Sequence, residues 1–291
     1  MLIQLLEVIQ RNLLKLEKLN KIPITVIISV KNEALNLPSC LEKLNRFNQI
    51  IVVDSSSTDA TLSIATTLGA EVLQFVWNGK FPKKRNWTLQ NANILNEWVL
   101  FLDADEFVTQ DFINEVEIKI QNPNYNGFTI QFENYFMDKK LRYGYGFKKT
   151  ALFKKTKGAY EKIEENYWSH LDMEVHEHPI IDGKIGLIDA KVIHKDFKNL
   201  EHYIDKHNAY SSWEAQRYIQ LKKNNNGKLS LNQKIKYGLL NTGLLPMVYF
   251  LGAYFLKLGF LDGKEGFYLA RYKANYFFQI QTKVACLKQR K

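Results

Sequence analysis

The feature that most constrains the fold is a regular alternation of apolar runs and helix-forming segments between residues 22 and 110. The runs at 24–28 (ITVII), 50–53 (IIVV) and 98–102 (WVLFL) lack the polar alternation of a half-exposed strand. Such runs are typical of strands buried on both faces of a sheet. A further strand, the third of four, is predicted at 71–76 (EVLQFV). Single helical patterns separate the four strands, which predicts βαβ units, an α/β fold and a mostly parallel, Rossmann-like sheet.

Carboxylates follow two of these strands. Asp54 comes directly after the second run, and Asp103 and Asp105 come directly after the fourth predicted strand. Ligands bind at the carboxyl ends of parallel strands, so one crevice is expected to receive all three side chains. Asp103 and Asp105 offer hard oxygen ligands for Mg²⁺ or Mn²⁺, which would bridge the phosphates of a nucleoside diphosphate. The alternative is a solvated acidic turn.

Three positions are assigned by the chemistry of their surroundings. Asp54 is predicted to accept hydrogen bonds from a base or a ribose, whereas Asp59 is assigned to capping the next helix. The basic stretch 83–86 (KKRN) follows the third predicted strand. Arg85 is predicted to contact a diphosphate, because guanidinium groups pair strongly with phosphate oxygens. A solvated basic loop is the alternative for each lysine.

A second chemical cluster lies at 172–179 (DMEVHEHP). Zinc is not favoured, because the spacing differs from H-E-x-x-H. A carboxylate that removes a proton from an acceptor hydroxyl is the better interpretation. Glu177 is the predicted general base, with Asp172 and Glu174 as alternatives.

Charge and cysteine content limit the expected partners and the expected cellular compartment. Forty Lys and Arg against thirty Asp and Glu give a net charge of +10, which favours nucleic acid, an anionic membrane or phosphorylated substrates as partners. Two cysteines exclude a disulfide framework and a cysteine-based zinc site, and are typical of a reducing, cytosolic setting.

The predicted domain organisation has three parts. Residues 1–20 form an amphipathic helix, because charges interrupt its apolar stretch too soon for a signal peptide or a membrane span. The main domain covers 21–222 and changes to an α+β pattern after residue 111. A helical tail covers 228–291. Its aromatic and basic residues predict docking on an anionic membrane, with a buried helical pair as the alternative.

Three stretches taken together resemble family 2 glycosyltransferases with the GT-A fold. They are 27–33 (IISVKNE), 52–61 (VVDSSSTDAT) and 98–106 (WVLFLDADE), in the order of that family. The likeness is strongest to lipopolysaccharide-core glycosyltransferases of the WaaE type, whose VHE and GFLDG motifs match 175–177 and 259–263. It makes 22–115 the nucleotide-sugar half of the main domain and 116–222 the acceptor half.

The resemblance implies an inverting transfer of one sugar from a nucleotide-sugar, with a UDP-sugar favoured, to a lipopolysaccharide-core or lipid-linked saccharide. It places the protein peripherally on the cytoplasmic face of the inner membrane. The Q-x-x-R-W motif of processive members is missing, so polymer synthesis is not expected. The implied roles are nucleotide-sugar binding by Glu33, Asp54, Arg85 and Asp103, binding of Mn²⁺ or Mg²⁺ by Asp105, and general-base catalysis by Glu177.

Two rival functions have weaker support. A nucleotidyltransferase would show a glycine-rich phosphate loop near the first strand, and 30–33 (VKNE) is not one. A non-catalytic basic protein that binds nucleic acid would account for the net charge, but no recognised nucleic-acid motif is present. No nucleic-acid partner is therefore expected.

Overall fold

A computed structural model describes residues 21–144, 146–163, 169, 171–172, 178–223 and 231–289. The helix predicted over 1–20 lies outside these residues. The chain divides into two compact units. The first unit comprises Met1–Phe132 and Lys148–Ile193, and the second comprises Glu133–Phe147 and His194–Lys291.

Four parallel strands form one half of the main sheet in the order β3-β2-β1-β4, as the alternation of apolar runs predicted. The register pairs Val30 with Asp54 and Ser29 with Asp103, so β2 and β4 end level with β1. The elements of this half are β1 (Ile22–Val30), α1 (Leu37–Glu42), β2 (Phe47–Asp54), α2 (Thr61–Thr67), β3 (Glu71–Gln74), α3 (Lys84–Asn91) and β4 (Trp98–Asp103).

The predicted α+β extension continues the same sheet with antiparallel pairing. β8 pairs antiparallel with β4 and with β6, and the described path runs on through β11 to β5. The elements are β5 (Glu106–Phe107), α4 (Gln110–Lys119), β6 (Gly127–Phe136), β7 (Lys139–Lys140), β8 (Lys148–Lys154), β9 (Gly158–Tyr160), β10 (Pro179–Ile181) and β11 (Ile185–His194). β7 pairs with β6, and β9 and β10 form a separate hairpin-like pair.

The core of the first unit contains apolar side chains of the parallel strands. Ile27, Val53 and Phe101 are buried in one apolar cluster. The ring of Phe101 stacks on Phe153 at 5.7 Å between centroids and meets Tyr160 edge-on at 5.2 Å. Aromatic packing of this kind joins β4 to β8 and β9, and it holds the carboxyl end of β4 in place.

The second unit is mainly helical. Tyr218, Tyr237 and Ile280 belong to its buried apolar cluster. Its helices are α5 (Leu200–Lys223), α6 (Leu231–Thr242), α7 (Leu245–Leu251) and α8 (Gly263–Gln289), with a π-helical turn at Gly252–Leu256 and a 3-10 turn at Gly259–Asp262.

The GFLDG motif at 259–263 has a structural explanation within this unit. A Cβ atom added to Gly266 would lie 2.1 Å from the carbonyl oxygen of Gly259, so the 3-10 turn packs against α8 only because Gly266 lacks a side chain. The Asp262 carboxylate accepts hydrogen bonds from the backbone N–H groups of Arg142 and Tyr143, both at 2.9 Å. The motif therefore secures the 142–143 segment.

Among the described residues, no helix is by itself both long and apolar enough to cross a membrane. Gln233–Thr242 and Leu245–Leu256 reach that length and composition only together, and the two are bent by 117°.

Candidate active site

Asp54 and Asp103 lie at one edge of the sheet, on either side of the last residues of β1. The convergence of strand-end carboxylates expected from the parallel topology is therefore observed. Asp54 is fully buried, and its carboxylate accepts hydrogen bonds from the hydroxyl of Ser57 and, at 3.0 Å, from the Ser57 N–H. The turn after β2 thus fixes the orientation of Asp54.

The loop after β1 is joined to the loop after β2 by hydrogen bonds. Asn32 adopts a left-handed conformation with φ of 56°, which asparagine tolerates better than most residues. Its N–H donates to the Ser57 hydroxyl at 2.8 Å, and the Glu33 N–H donates to the Thr61 hydroxyl at 2.9 Å. The Glu33 carboxylate accepts from the Asn36 side-chain amide at 2.9 Å. These contacts hold Glu33 at the same edge.

Asp59 has the structural role that was predicted for it. Its carboxylate accepts hydrogen bonds from the N–H of Thr61, the first residue of α2, at 3.0 Å and from the N–H of Ala34 at 3.2 Å. It satisfies a donor at the helix start, although Ala60 is the N-cap residue itself.

The acidic turn after β4 contains one enclosed and two more open carboxylates. Glu106 is 1% exposed and accepts a hydrogen bond from the Asp103 N–H at 3.0 Å. Lys149 of β8 donates to Glu106 at 2.6 Å and to Asp103 at 3.4 Å. The Asp103 side chain is 33% exposed, and Asp105 is half-buried. Glu106 and Lys149 therefore form the support of the turn, and Asp103 and Asp105 form its accessible part.

The negative potential of this turn extends to Cys40. Burial raises the pKa of the Cys40 thiol, and the nearby charges of Glu106, Asp105 and Asp103 raise it further. The Cys40 S–H also contacts the carbonyl oxygen of Glu106 at 3.5 Å. The accessible ligand atoms of the turn itself are the carboxylate oxygens of Asp103 and Asp105, and such hard oxygen ligands suit Mg²⁺ or Mn²⁺.

Arg85 is brought to the same edge by α3. Its guanidinium donates to Asp103 at 3.1 Å and lies 5.2 Å from the centre of the Tyr160 ring. The side chain is 12% exposed. An arginine held by a carboxylate on one side and an aromatic face on the other is oriented before any ligand arrives.

Lys84 lies at this edge as well, whereas the sequence left diphosphate contact and a solvated basic loop open for each lysine. Its side chain is 2% exposed, donates to the Val30 carbonyl at 3.2 Å and pairs with Asp172 at 3.4 Å. Burial lowers the pKa of Lys84, and the charge of Asp172 opposes that shift. Burial acts to raise the pKa of Asp172, but the charge of Lys84 and a hydrogen bond from Ser55 outweigh it, so the pKa is lowered.

The predicted base Glu177 and the alternative Glu174 lie outside the described residues. Of the three carboxylates considered for that role, Asp172 is described, and it is ion-paired with Lys84. A carboxylate with a lowered pKa is a weaker proton acceptor.

Sequence reasoning missed Lys84, Glu106 and Lys149. Glu106 carried a signal, because it follows Asp103 and Asp105 directly, and a third carboxylate in one turn needs a compensating cation. Lys149 carried none, because it is 43 residues away in sequence and reaches Glu106 only through the β4–β8 pairing. Burial of Lys84 was not considered, because lysines are rarely buried unless paired.

Two curated relatives cover most of the chain. It is 28% identical over 84% of its length, and 80% of the relative, to the uncharacterized glycosyltransferase RP128 of Rickettsia prowazekii (strain Madrid E). It is 24% identical over 91% of its length, and 92% of the relative, to the lipopolysaccharide core biosynthesis glycosyltransferase LpsC of Rhizobium meliloti (strain 1021).

Among solved structures, glucosyl-3-phosphoglycerate synthase from Mycobacterium tuberculosis in complex with Mn²⁺, UDP and glucosyl-3-phosphoglycerate matches 41% of this chain and 45% of that one. The identity is 21% and the TM-score is 0.31. The family model described as Glycosyl transferase family 2 matches residues 25–171, just over half of the chain and the whole of the acidic edge described above. The chain therefore belongs to glycosyltransferase family 2, and it is a glycosyltransferase of the GT-A fold.

Proposed function

We propose that this glycosyltransferase moves one sugar from a nucleotide-sugar, a UDP-sugar in the first instance, to a saccharide hydroxyl with inversion at the anomeric carbon. The observation that carries the proposal is the convergence of Asp54, Arg85, Asp103 and Asp105 at the carboxyl edge of β1, β2 and β4. Carboxylates that accept from a nucleoside and a cation that pairs with phosphate are the groups a nucleoside diphosphate needs.

Each residue of the edge receives a role from its contacts. Asp54 uses two of about four acceptor positions on its carboxylate for Ser57, which leaves capacity for a base or ribose donor. Glu33, fixed beside it, is assigned to the same half of the donor. Arg85, held beside Asp103, is assigned to the diphosphate, because phosphate oxygens pair strongly with a guanidinium group.

Asp105 is proposed to hold Mn²⁺ or Mg²⁺, with Asp103 beside it. The carboxylate oxygens of Asp103 and Asp105 suit either ion. When bound, such an ion supplies positive charge that stabilises the departing diphosphate. Lys149 neutralises the buried charge of Glu106. The turn therefore keeps its shape whether or not Asp103 and Asp105 bind a ligand.

Glu177 is proposed to take the proton from the acceptor hydroxyl as the sugar is transferred. Glu174 and Asp172 are the alternatives. The ion pair between Asp172 and Lys84 supports Glu177 over Asp172, because a carboxylate stabilised in its charged form accepts a proton less readily.

A lipopolysaccharide-core or lipid-linked saccharide is the proposed acceptor, with 22–115 binding the donor and 116–222 contributing to the acceptor site. The likeness to LpsC supports this acceptor class. Residues 1–20 and the tail at 228–291 are proposed to contact the cytoplasmic face of the inner membrane. Exposed apolar residues of the tail, including Leu256 at 85% exposure, support that contact.

The test is a panel of UDP-, GDP- and ADP-sugars with Mn²⁺, measured by thermal shift and by nucleotide release. At about a hundredfold excess of donor over its dissociation constant, the wild type is expected to gain about 2.7 kcal/mol. Asp105→Ala should lose the metal-dependent part of this response. Asp182→Ala, at a carboxylate whose side chain is 81% exposed, is the matched control and should respond like the wild type. An unchanged response of Asp105→Ala would contradict the metal assignment, and no response to any donor would overturn the function.

A further inference from the structure

A groove of about 640 Å³ lies between α7 and α8 of the second unit. Met247 and Phe250 of α7 line one side, and Phe267, Arg271 and Phe278 of α8 line the other. The α8 positions recur every three or four residues, so they form one stripe along the helix. From residue 267 to 278 the stripe is about 16 Å long at 1.5 Å per residue.

The walls of the groove are apolar and open to solvent. Met247 is 57% exposed, Phe278 53% and Phe267 39%. Large apolar side chains that remain exposed along one groove indicate a binding surface rather than scattered surface hydrophobes. The Arg271 guanidinium lies 5.9 Å from the centre of the Phe250 ring, so a single cation is placed in this apolar wall.

The segment that contains the groove is strongly positive. Residues 231–289 contain eight lysines and arginines and two carboxylates, a net charge of +6. Both carboxylates have partners inside the unit: Asp262 accepts from backbone N–H groups, and Glu265 pairs with Lys139 at 3.0 Å. No described residue that lines the groove is acidic. The groove therefore suits a ligand with an apolar chain and a negative head.

We propose that this groove binds one anionic phospholipid, with an acyl chain along the α8 stripe and the head-group phosphate on Arg271. The proposal rests on the membrane contact proposed above and names its lipid site. Charge complementarity favours a lipid over other occupants. A second copy would bring another segment of net charge +6, and residues 1–20 carry three basic and two acidic side chains and so offer no negative head.

The test uses dihexanoylphosphatidylglycerol below its micelle-forming concentration, titrated calorimetrically into the full-length protein. Binding of the wild type is expected. Arg271→Gln should weaken it by about fivefold and Phe278→Ser by about tenfold, from the loss of one surface charge and one buried ring. Ile235→Ser is the matched control, because Ile235 is 54% exposed and does not line the groove. It should bind the lipid like the wild type. Thermal melting of each variant checks folding.

A second arm separates this proposal from general membrane contact. Wild-type protein is sedimented with vesicles of phosphatidylcholine containing phosphatidylglycerol. Vesicle binding without monomer binding would overturn the groove site and leave membrane contact standing. Monomer binding that Arg271→Gln and Phe278→Ser leave unchanged would have the same consequence. Failure of both arms overturns both proposals. Monomer binding that these two substitutions weaken supports the groove site whatever the vesicles show.

Discussion

Buried charged side chains occur in both units, and their surroundings differ. In the first unit, Glu106 is enclosed with Lys149 but belongs to the same turn as the half-buried Asp105. In the second unit, Glu214 is 2% exposed and accepts from Lys236 at 2.6 Å and from the Tyr237 hydroxyl at 2.8 Å, all inside helix packing. Burial alone does not distinguish a site from a structural network. What distinguishes them is whether the network supports groups that a ligand can reach.

This comparison predicts that disturbing the support of the acidic turn has the largest effect. Lys149→Met leaves the Glu106 charge buried without its main cation, and we expect a loss of about 3 kcal/mol in the free energy of unfolding. Sugar transfer should fall as well, because Asp103 loses a contact. Urea denaturation and initial rates measure the two effects.

Lys157→Met is the matched control for this substitution. Its partner Asp182 is 81% exposed, and such surface pairs contribute at most about 1 kcal/mol. If both variants lost the same small amount of stability, the enclosed pair at Glu106 would not be the support of the turn.

In the second unit, burial of His207 makes the free energy of unfolding depend on pH. Burial, followed by the charge of Lys273, lowers the pKa of His207 from 6.5 to about 4. The unfolded chain therefore binds a proton that the folded chain rejects between these values. The associated stability, about 3 kcal/mol, is complete above pH 6.5 and is lost as the pH falls towards 4.

His207→Phe isolates this effect, because a phenyl ring keeps the stacking on Tyr203 at 4.0 Å but cannot be protonated. Unfolding free energies measured at several pH values between 7.5 and 4 should show the wild type losing stability relative to the variant on acidification. A difference that does not change with pH would assign the role of His207 to packing alone.

The smallest expected effect is that of Tyr237→Phe. It removes one hydrogen bond to Glu214 while Lys236 stays in place, so a loss of about 1 kcal/mol is expected. Sugar transfer should be unchanged under conditions where the protein remains folded. A loss of transfer comparable to that of Lys149→Met would show that the network around Glu214 is not purely structural.

The parallel half of the fold was predictable because its buried strands are continuous apolar runs. Ile27, Val53 and Leu100 mark strands whose side chains cannot face water on either side of the sheet. The strand-end carboxylates followed, since topology alone brings Asp54 and Asp103 to one edge. The cations were harder to predict. A lysine shows no periodic signal of burial, so the positions of Lys84 and Lys149 depend on pairings between distant segments.

In the tail, the composition was easier to interpret than the path of the chain. Residues 239–261 are markedly apolar, but the chain turns within them at Gly243, whose φ is 79°, and again at a π-helical turn. Composition could predict exposed apolar surface there. It could not predict the groove, because the groove depends on how α7 packs against α8, and the sequence carries no signal for that pairing.

The acidic turn also determines how the protein can be labelled. Cys40 is buried, and burial together with the nearby carboxylates keeps it in the protonated thiol form, which is a poor nucleophile. Cys286 is the other cysteine of the chain, and it is exposed near the end of α8. A maleimide dye will therefore mark a single position without mutagenesis, and its fluorescence reports on the C-terminal helix in the native sequence.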